Sequence, residues 1–150
     1  ETIAAYQKAV ELKPDLPASV HINLGDALQQ EGRFDEAVAS YEKAFAVNPE
    51  LGAGAYIKLG NVQLKQGLLD AAIANYQKAL ELNPELAVAH QNLGNAFQQK
   101  GLLDDAMSSY QKAIDLNPDA PGFYRLMGDL LTKQGRTSEA SQYYDRAASM

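Results

Sequence analysis

Apolar residues along this chain recur at helical spacing and are interrupted at regular places. In one stretch Val20, Leu24, Ala27 and Leu28 form a stripe that stops at Gly32; a second stripe, Ala37, Val38, Tyr41, Ala44 and Phe45, stops before Pro49. Glycine just beyond the first stripe suits the left-handed residue that closes a helix. Asp35 and Glu36 open the second stripe, where negative charge favours a helix start. The two stripes therefore predict a pair of helices, the second from Asp35, joined by a tight turn into a hairpin. The same pattern returns along the whole chain. Gly25, Gly60, Gly94 and Gly128 fall 35, 34 and 34 residues apart, and Gly32, Gly67, Gly101 and Gly135 keep the same steps. Self-similarity at that period marks a solenoid.

Eight of the eleven glycines lie in these two columns, leaving Gly52, Gly54 and Gly122, and all six prolines fall between hairpins. Intervals between punctuation marks also place the insertions behind the unequal steps. Gly25 to Pro49, Gly60 to Pro84 and Gly94 to Pro118 are each 24 residues, whereas Pro14 to Gly25 and Pro49 to Gly60 span 11 against 10 for Pro84 to Gly94. The extra residue is expected in the turn between hairpins, near Pro17 and near Gly52 to Gly54.

Glycine inside a helix costs about 1 kcal/mol relative to alanine, so four in one column need a steric reason. Ala37/Ala44, Ala72/Ala79, Ala106/Ala113 and Ala140/Ala147 on the second helices suggest a seam where two backbones approach closely, with Tyr41, Tyr76, Tyr110 and Tyr144 filling its wider end. Ala72→Leu is expected to overpack that seam at about 1–3 kcal/mol, read as a lowered melting midpoint.

The Leu-Gly, Ala, aromatic, Ala and Asn-Pro columns resemble the tetratricopeptide repeat (TPR), and the resemblance covers the whole chain. It implies an all-α fold, a right-handed α-solenoid of antiparallel helical hairpins. Residues 1–14, with Tyr6, Ala9 and Pro14, match the second helix of a preceding repeat; 18–51, 53–86, 87–120 and 121–150 are four full repeats of one domain. His21, Tyr56, His90 and Tyr124 stand where the family often has Trp. Gln63 stands where Leu28, Phe97 and Leu131 are apolar, so the second hairpin is expected to be looser. Thr137, Ser141 and Ala148 replace the apolar residues of earlier repeats, as at a polar C-terminal end. Tyr6 and Ala9 would face a first helix outside this sequence, leaving an apolar surface open to self-association. Because the chain opens on Glu1 and not Met, a stretch of a longer protein is expected.

Composition excludes several function classes. With no cysteine there is no disulfide framework, thiol nucleophile or thiolate metal site, which is compatible with the cytoplasm. No apolar run is long enough for a membrane span and none reads as a signal peptide. A net charge of -6 argues against a nucleic-acid partner. Asp35, Asp70 and Asp104 recur as helix openers, and no nucleophile–base–acid set or phosphate loop accompanies them. His21 and His90 sit two repeats apart, roughly 20 Å at the usual helix spacing, too far to share a metal, and are assigned to hairpin packing. Neither catalysis nor a cofactor is expected.

Function is then sought on the first helices, whose free positions would line a concave groove. Ser19, Ile22, Asn23, Asp26, Gln29 and Gln30 begin the series, followed by Gly54, Ile57, Lys58, Asn61, Leu64 and Lys65. Repeat three contributes Val88, Gln91, Asn92, Asn95, Gln98 and Gln99, and repeat four Gly122, Arg125, Leu126, Asp129, Thr132 and Lys133. Lys58, Lys65, Arg125 and Lys133 against Asp26 and Asp129 give this face a net +2 on an acidic molecule. Asn and Gln offer both a donor and an acceptor to an extended peptide whose backbone is unpaired. The peptide-binding set expected is Asn23, Asp26, Lys58, Asn61, Leu64, Lys65, Asn92, Asn95, Gln98, Arg125, Asp129 and Lys133.

Asn23 and Asn92 are similar to the asparagine ladder of O-linked N-acetylglucosamine transferase repeats, interrupted here by Lys58 and Leu126. Asn61 and Asn92 match two places of the family's carboxylate clamp, whose lysine and arginine placements are not matched. Ile22 and Ile57 read as packing residues and Leu64 as the apolar residue open to a ligand. Three readings stay open: a module binding an extended segment of a protein partner, the substrate-recruiting region of a larger enzyme such as a glycosyltransferase, and a self-assembling scaffold.

Overall fold

A computed structural model describes residues 3–13 and 15–150; Pro14, used above to place the first turn, lies outside the described residues. Within them the fold is all-α and no strand occurs. The helices are α1 (Ile3–Leu12), α2 (Ala18–Gln30), α3 (Phe34–Val47), α4 (Ala53–Lys65), α5 (Leu69–Leu82), α6 (Ala87–Lys100), α7 (Leu103–Leu116), α8 (Pro121–Lys133) and α9 (Thr137–Ala148). They pair as hairpins α2/α3, α4/α5, α6/α7 and α8/α9, with α1 against α2. The chain divides into two compact units, one through Leu82 and one from Asn83.

Each first helix ends on a glycine with φ between +76° and +83°. Gly32 N–H donates to the Gln29 carbonyl at 3.1 Å and Arg33 N–H to the Leu28 carbonyl at 2.9 Å, so the turn closes two helix-terminal carbonyls at once. The inter-hairpin turn expected to hold the extra residue does so: 48–52 separate α3 from α4, one residue more than the 117–120 that separate α7 from α8. The consequence reaches the Trp column. Tyr124 Oη donates to the Pro118 carbonyl at 2.9 Å, and His90 Nε2 pairs with the Pro84 carbonyl at 3.0 Å. After the longer turn Tyr56 instead packs its ring on Phe45, with centroids 4.5 Å apart.

The helix-interior glycines face the tyrosines of the second helices. A Cβ on Gly25, Gly60, Gly94 or Gly128 would come within 2.5–2.7 Å of Cε1 of Tyr41, Tyr76, Tyr110 or Tyr144 respectively. The missing side chain makes room for a tyrosine ring from the second helix, which stands where a Cβ would be. The seam alanines are buried as expected, and in the first three hairpins the tyrosine is too. Truncating one of these rings to alanine is expected to cost about 3–5 kcal/mol.

In the first unit Ile3, Leu24, Leu28, Tyr41, Leu59 and Val62 form the core, joined by Tyr6, Val10 and Ile22. Tyr6 and Ala9 are only half-buried, whereas Tyr41 and Ala44 at the same places of the first complete hairpin are fully buried, and Ile22 packs as expected. In the second unit the core is Tyr110, Ile114, Met127, Leu130 and Leu131 with their seam alanines. The looser second hairpin is corrected, since α4 and α5 pack as extensively as α2 and α3. Buried Gln63 accepts from Asn75 Nδ2 at 2.7 Å, and Asn75 also donates to the Ala71 carbonyl at 3.1 Å. A polar residue inside a hairpin is tolerated because its partner is built in.

Candidate functional site

A single contact recurs in every hairpin and places a polar group on the first-helix face. The tyrosine that covers the glycine sends its hydroxyl to the residue immediately after that glycine. Tyr41 Oη donates to Asp26 Oδ1 at 2.7 Å, Tyr76 to Asn61 Oδ1 at 2.8 Å, Tyr110 to Asn95 Oδ1 at 2.7 Å and Tyr144 to Asp129 Oδ1 at 2.8 Å. The geometry follows from the repeat: ring over glycine, phenol at the rim, Asx one residue further along the helix. Burial pushes the Tyr41 phenol pKa well up, with Asp26 adding to it; burial does the same to Tyr76. Tyr110 is pushed up to about 12 by burial and then by the nearby Asp129 carboxylate. These phenols stay protonated and act as fixed donors.

One helical turn further on, the residue in each first helix differs and so does the local chemistry. Gln29 Oε1 lies 3.3 Å and Gln98 Oε1 2.8 Å from their tyrosine hydroxyls, while Thr132 Oγ1 lies 3.2 Å from Tyr144 Oη. Leu64 holds the corresponding place in α4. In the first unit Lys58 Nζ of α4 donates to both carboxylate oxygens of Asp26 on α2, at 2.7 and 2.6 Å, tying adjacent first helices together. Lys65 Nζ lies 5.7 Å from the centroid of the Phe34 ring, a cation–π contact.

The sequence matches models of the TPR repeat over residues 25–67, 64–101 and 94–135, and of the tetratricopeptide repeat over 122–150. The chain belongs to the tetratricopeptide-repeat family. Among solved structures it is similar to MamA, at 28% identity and a TM-score of 0.89 over 98% of this chain and 85% of that one. It is similar to PilF of Pseudomonas aeruginosa at 29% identity, a TM-score of 0.81, and 96% and 65% coverage. The TPR protein YrrB shares the fold at 24% identity, with a TM-score of 0.80 over 97% of this chain and 74% of that one. Comparison with curated protein sequences returns no match. A TPR array is a protein-interaction module, and the all-helical hairpin fold is that of a solenoid.

Within this TPR framework the expected site residues separate into two kinds. Asp26 and Lys58 neutralise each other, and Lys65 lies over the Phe34 ring while staying exposed, so Lys65 is the cation this pairing leaves on the face of α4. Asn61 carries the Tyr76 phenol; alanine there would strand a buried donor, at about 1 kcal/mol or more, and would not be silent for stability. Leu64 is half-buried, and Asn23 is exposed on α2. In the second unit Asn92, Asn95 and Gln98 are half-buried on α6, while Arg125, Asp129 and Lys133 are exposed along one face of α8. What sequence reasoning missed is the tyrosine as an organiser of this face. The signal was present, because every Gly of that column is followed by Asp or Asn and then, fifteen residues after the Asx, by Tyr.

Buried His21 carries an Nδ1 without a hydrogen-bond partner, and its pKa is lowered by burial and then by Lys43. Among the described residues no group of three or more His, Asp or Glu is placed to hold a metal ion, and no helix is long and apolar enough to cross a membrane.

Proposed function

We propose that this TPR module binds an extended segment of a partner protein on the first-helix face of its second unit, with α6 and α8 supplying the recognition. The observation that carries the reading is the contrast between the two units. Asp26 and Lys58 pair with each other and exposed Lys65 lies over the Phe34 ring, whereas Arg125 and Lys133 stand exposed on α8 and Asn95 and Gln98 present phenol-anchored amides on α6. Amides pair with a peptide backbone, and the two cations favour acidic side chains on the same segment. YrrB, which shares the fold, is described as having an unusual peptide-binding site; the reading here rests on this chain's own residues.

Display of random 12-residue peptides on the intact chain tests the proposal. Recovered peptides are expected to carry acidic residues, and Arg125→Ala with Lys133→Ala should weaken them tenfold or more while helicity and melting stay unchanged. Recovered peptides indifferent to every substitution on α6 and α8 would place the binding surface elsewhere.

A further inference from the structure

Tyr110 is the tyrosine whose hydroxyl lies within 2.8 Å of two amide side chains, Asn95 Oδ1 at 2.7 Å and Gln98 Oε1 at 2.8 Å. A phenol has one proton. It donates to one of these oxygens, and the other amide is satisfied when it turns its NH2 toward the phenol oxygen, an exchange of nearly identical shapes. Either assignment leads to the same outer face. One amide shows its carbonyl oxygen to solvent and the other shows its NH2.

We infer that Asn95 and Gln98, held by Tyr110, form a receptor for one backbone peptide unit of an extended segment, with Tyr110 as a positioning residue. The inference rests on the peptide-binding reading and specifies where on α6 the backbone is held. Residues three apart on a helix share a face, so the two amides are neighbours. In an extended strand the N–H and C=O of one residue point the same way, as they do when two strands exchange a pair of hydrogen bonds. An outward acceptor beside an outward donor is the complement of that pair.

Other hairpins lack the combination. Asp26 is acceptor-only and takes Lys58, Leu64 replaces the second amide beside Asn61, and the last hairpin has the carboxylate Asp129 with Thr132, whose hydroxyl bonds the Gly128 carbonyl and meets Tyr144 Oη. Held by its backbone groups alone, the partner is free to vary its side chain at that residue.

The test uses the tightest 12-residue peptide recovered by display on the intact chain, made as a series in which each backbone amide in turn becomes an ester. Against the unsubstituted protein, one position is expected to lose about tenfold in affinity on losing its N–H. Against Tyr110→Phe, which keeps the ring over Gly94 but removes the hydroxyl, the parent peptide should weaken by about three- to tenfold and the ester at that position should cost nothing further. Gln98→Leu, which installs the residue α4 already carries at this place, should behave the same way and carries the test alone if Tyr110→Phe fails to fold. Full ester sensitivity retained in the folded variants, or no ester-sensitive position in the series, overturns the receptor while leaving peptide binding in place. Recovery of no peptide at all overturns the binding reading and the receptor together.

Discussion

The first and last hairpins carry the same parts and use them differently. Tyr41 lies on Gly25 and bonds Asp26; Tyr144 lies on Gly128 and bonds Asp129, with hydrogen bonds of 2.7 and 2.8 Å. Yet Tyr41 is 1% exposed and Tyr144 is 37% exposed. Leu59 and Val62 of α4 join Tyr41 in one core, and Lys58 closes over Asp26; the corresponding flank of α8/α9 carries Thr137 and Ser141, both exposed. The repeat columns specify the bond, and the neighbouring hairpin decides whether it is core or surface. Asp26 is therefore a structural residue, and Asp129, identical in its own hairpin, is open to solvent.

The largest difference is expected from filling the glycine. In Gly25→Ala the new methyl meets a ring that has nowhere to go, and a net loss of about 1–3 kcal/mol is expected despite the better helix propensity of alanine. In Gly128→Ala the exposed ring can swing out, so the propensity gain of about 1 kcal/mol offsets most of the lost contact. Urea unfolding of both variants decides it; equal losses would mean that burial of the ring is irrelevant to the glycine column.

Next in size is the carboxylate. Asp26→Ala leaves the Tyr41 hydroxyl and Lys58 without their acceptor and is expected to cost about 1–3 kcal/mol, whereas Asp129→Ala exposes its phenol to water and should cost less than about 1 kcal/mol. Alkaline unfolding gives an independent reading of the same bond. The Tyr41 pKa is raised in the fold, so the unfolded chain releases the proton first: this contribution is complete below pH 10 and is lost progressively as pH rises above it. Tyr41→Phe should flatten that decline in stability above pH 10, and an unchanged slope would argue that the phenol is not held protonated.

Period and punctuation made the hairpins, the αL glycines and the longer α3–α4 turn legible in the sequence, because each follows from local chain chemistry. The alanine seam was legible too. That a ring sixteen residues away sits directly on the glycine was not legible, because such a pairing is visible only when two helices are docked. Gln63 gave the same lesson: judged alone it is a polar intruder, but Asn75 answers it across the hairpin. On the candidate face, the residue types were legible and their commitments were not. Lys58 and Lys65 read as free cations until Asp26 and Phe34 were placed beside them, since ion pairs between successive first helices depend on stacking that no single repeat encodes.

The smallest expected effect concerns His21 and Tyr124, which occupy one column. Tyr124 ends on the Pro118 carbonyl, while His21 is buried with Nδ1 unpaired and Lys43 near enough to oppose its protonation. Burial and that lysine both lower the pKa of His21 below its usual 6.5. The unfolded chain therefore takes up the proton first as pH falls, and stability, level for this group above pH 6.5, drops below it until the folded pKa is reached. The slope from one such group is at most about 1.4 kcal/mol per pH unit. His21→Phe removes both the unpaired nitrogen and the titration, so the difference between its urea midpoint and that of the parent should widen in its favour from pH 7.5 to pH 5.5. A constant difference across that range would mean that His21 finds a proton acceptor when it charges, and that this column is as well satisfied in the first hairpin as in the last.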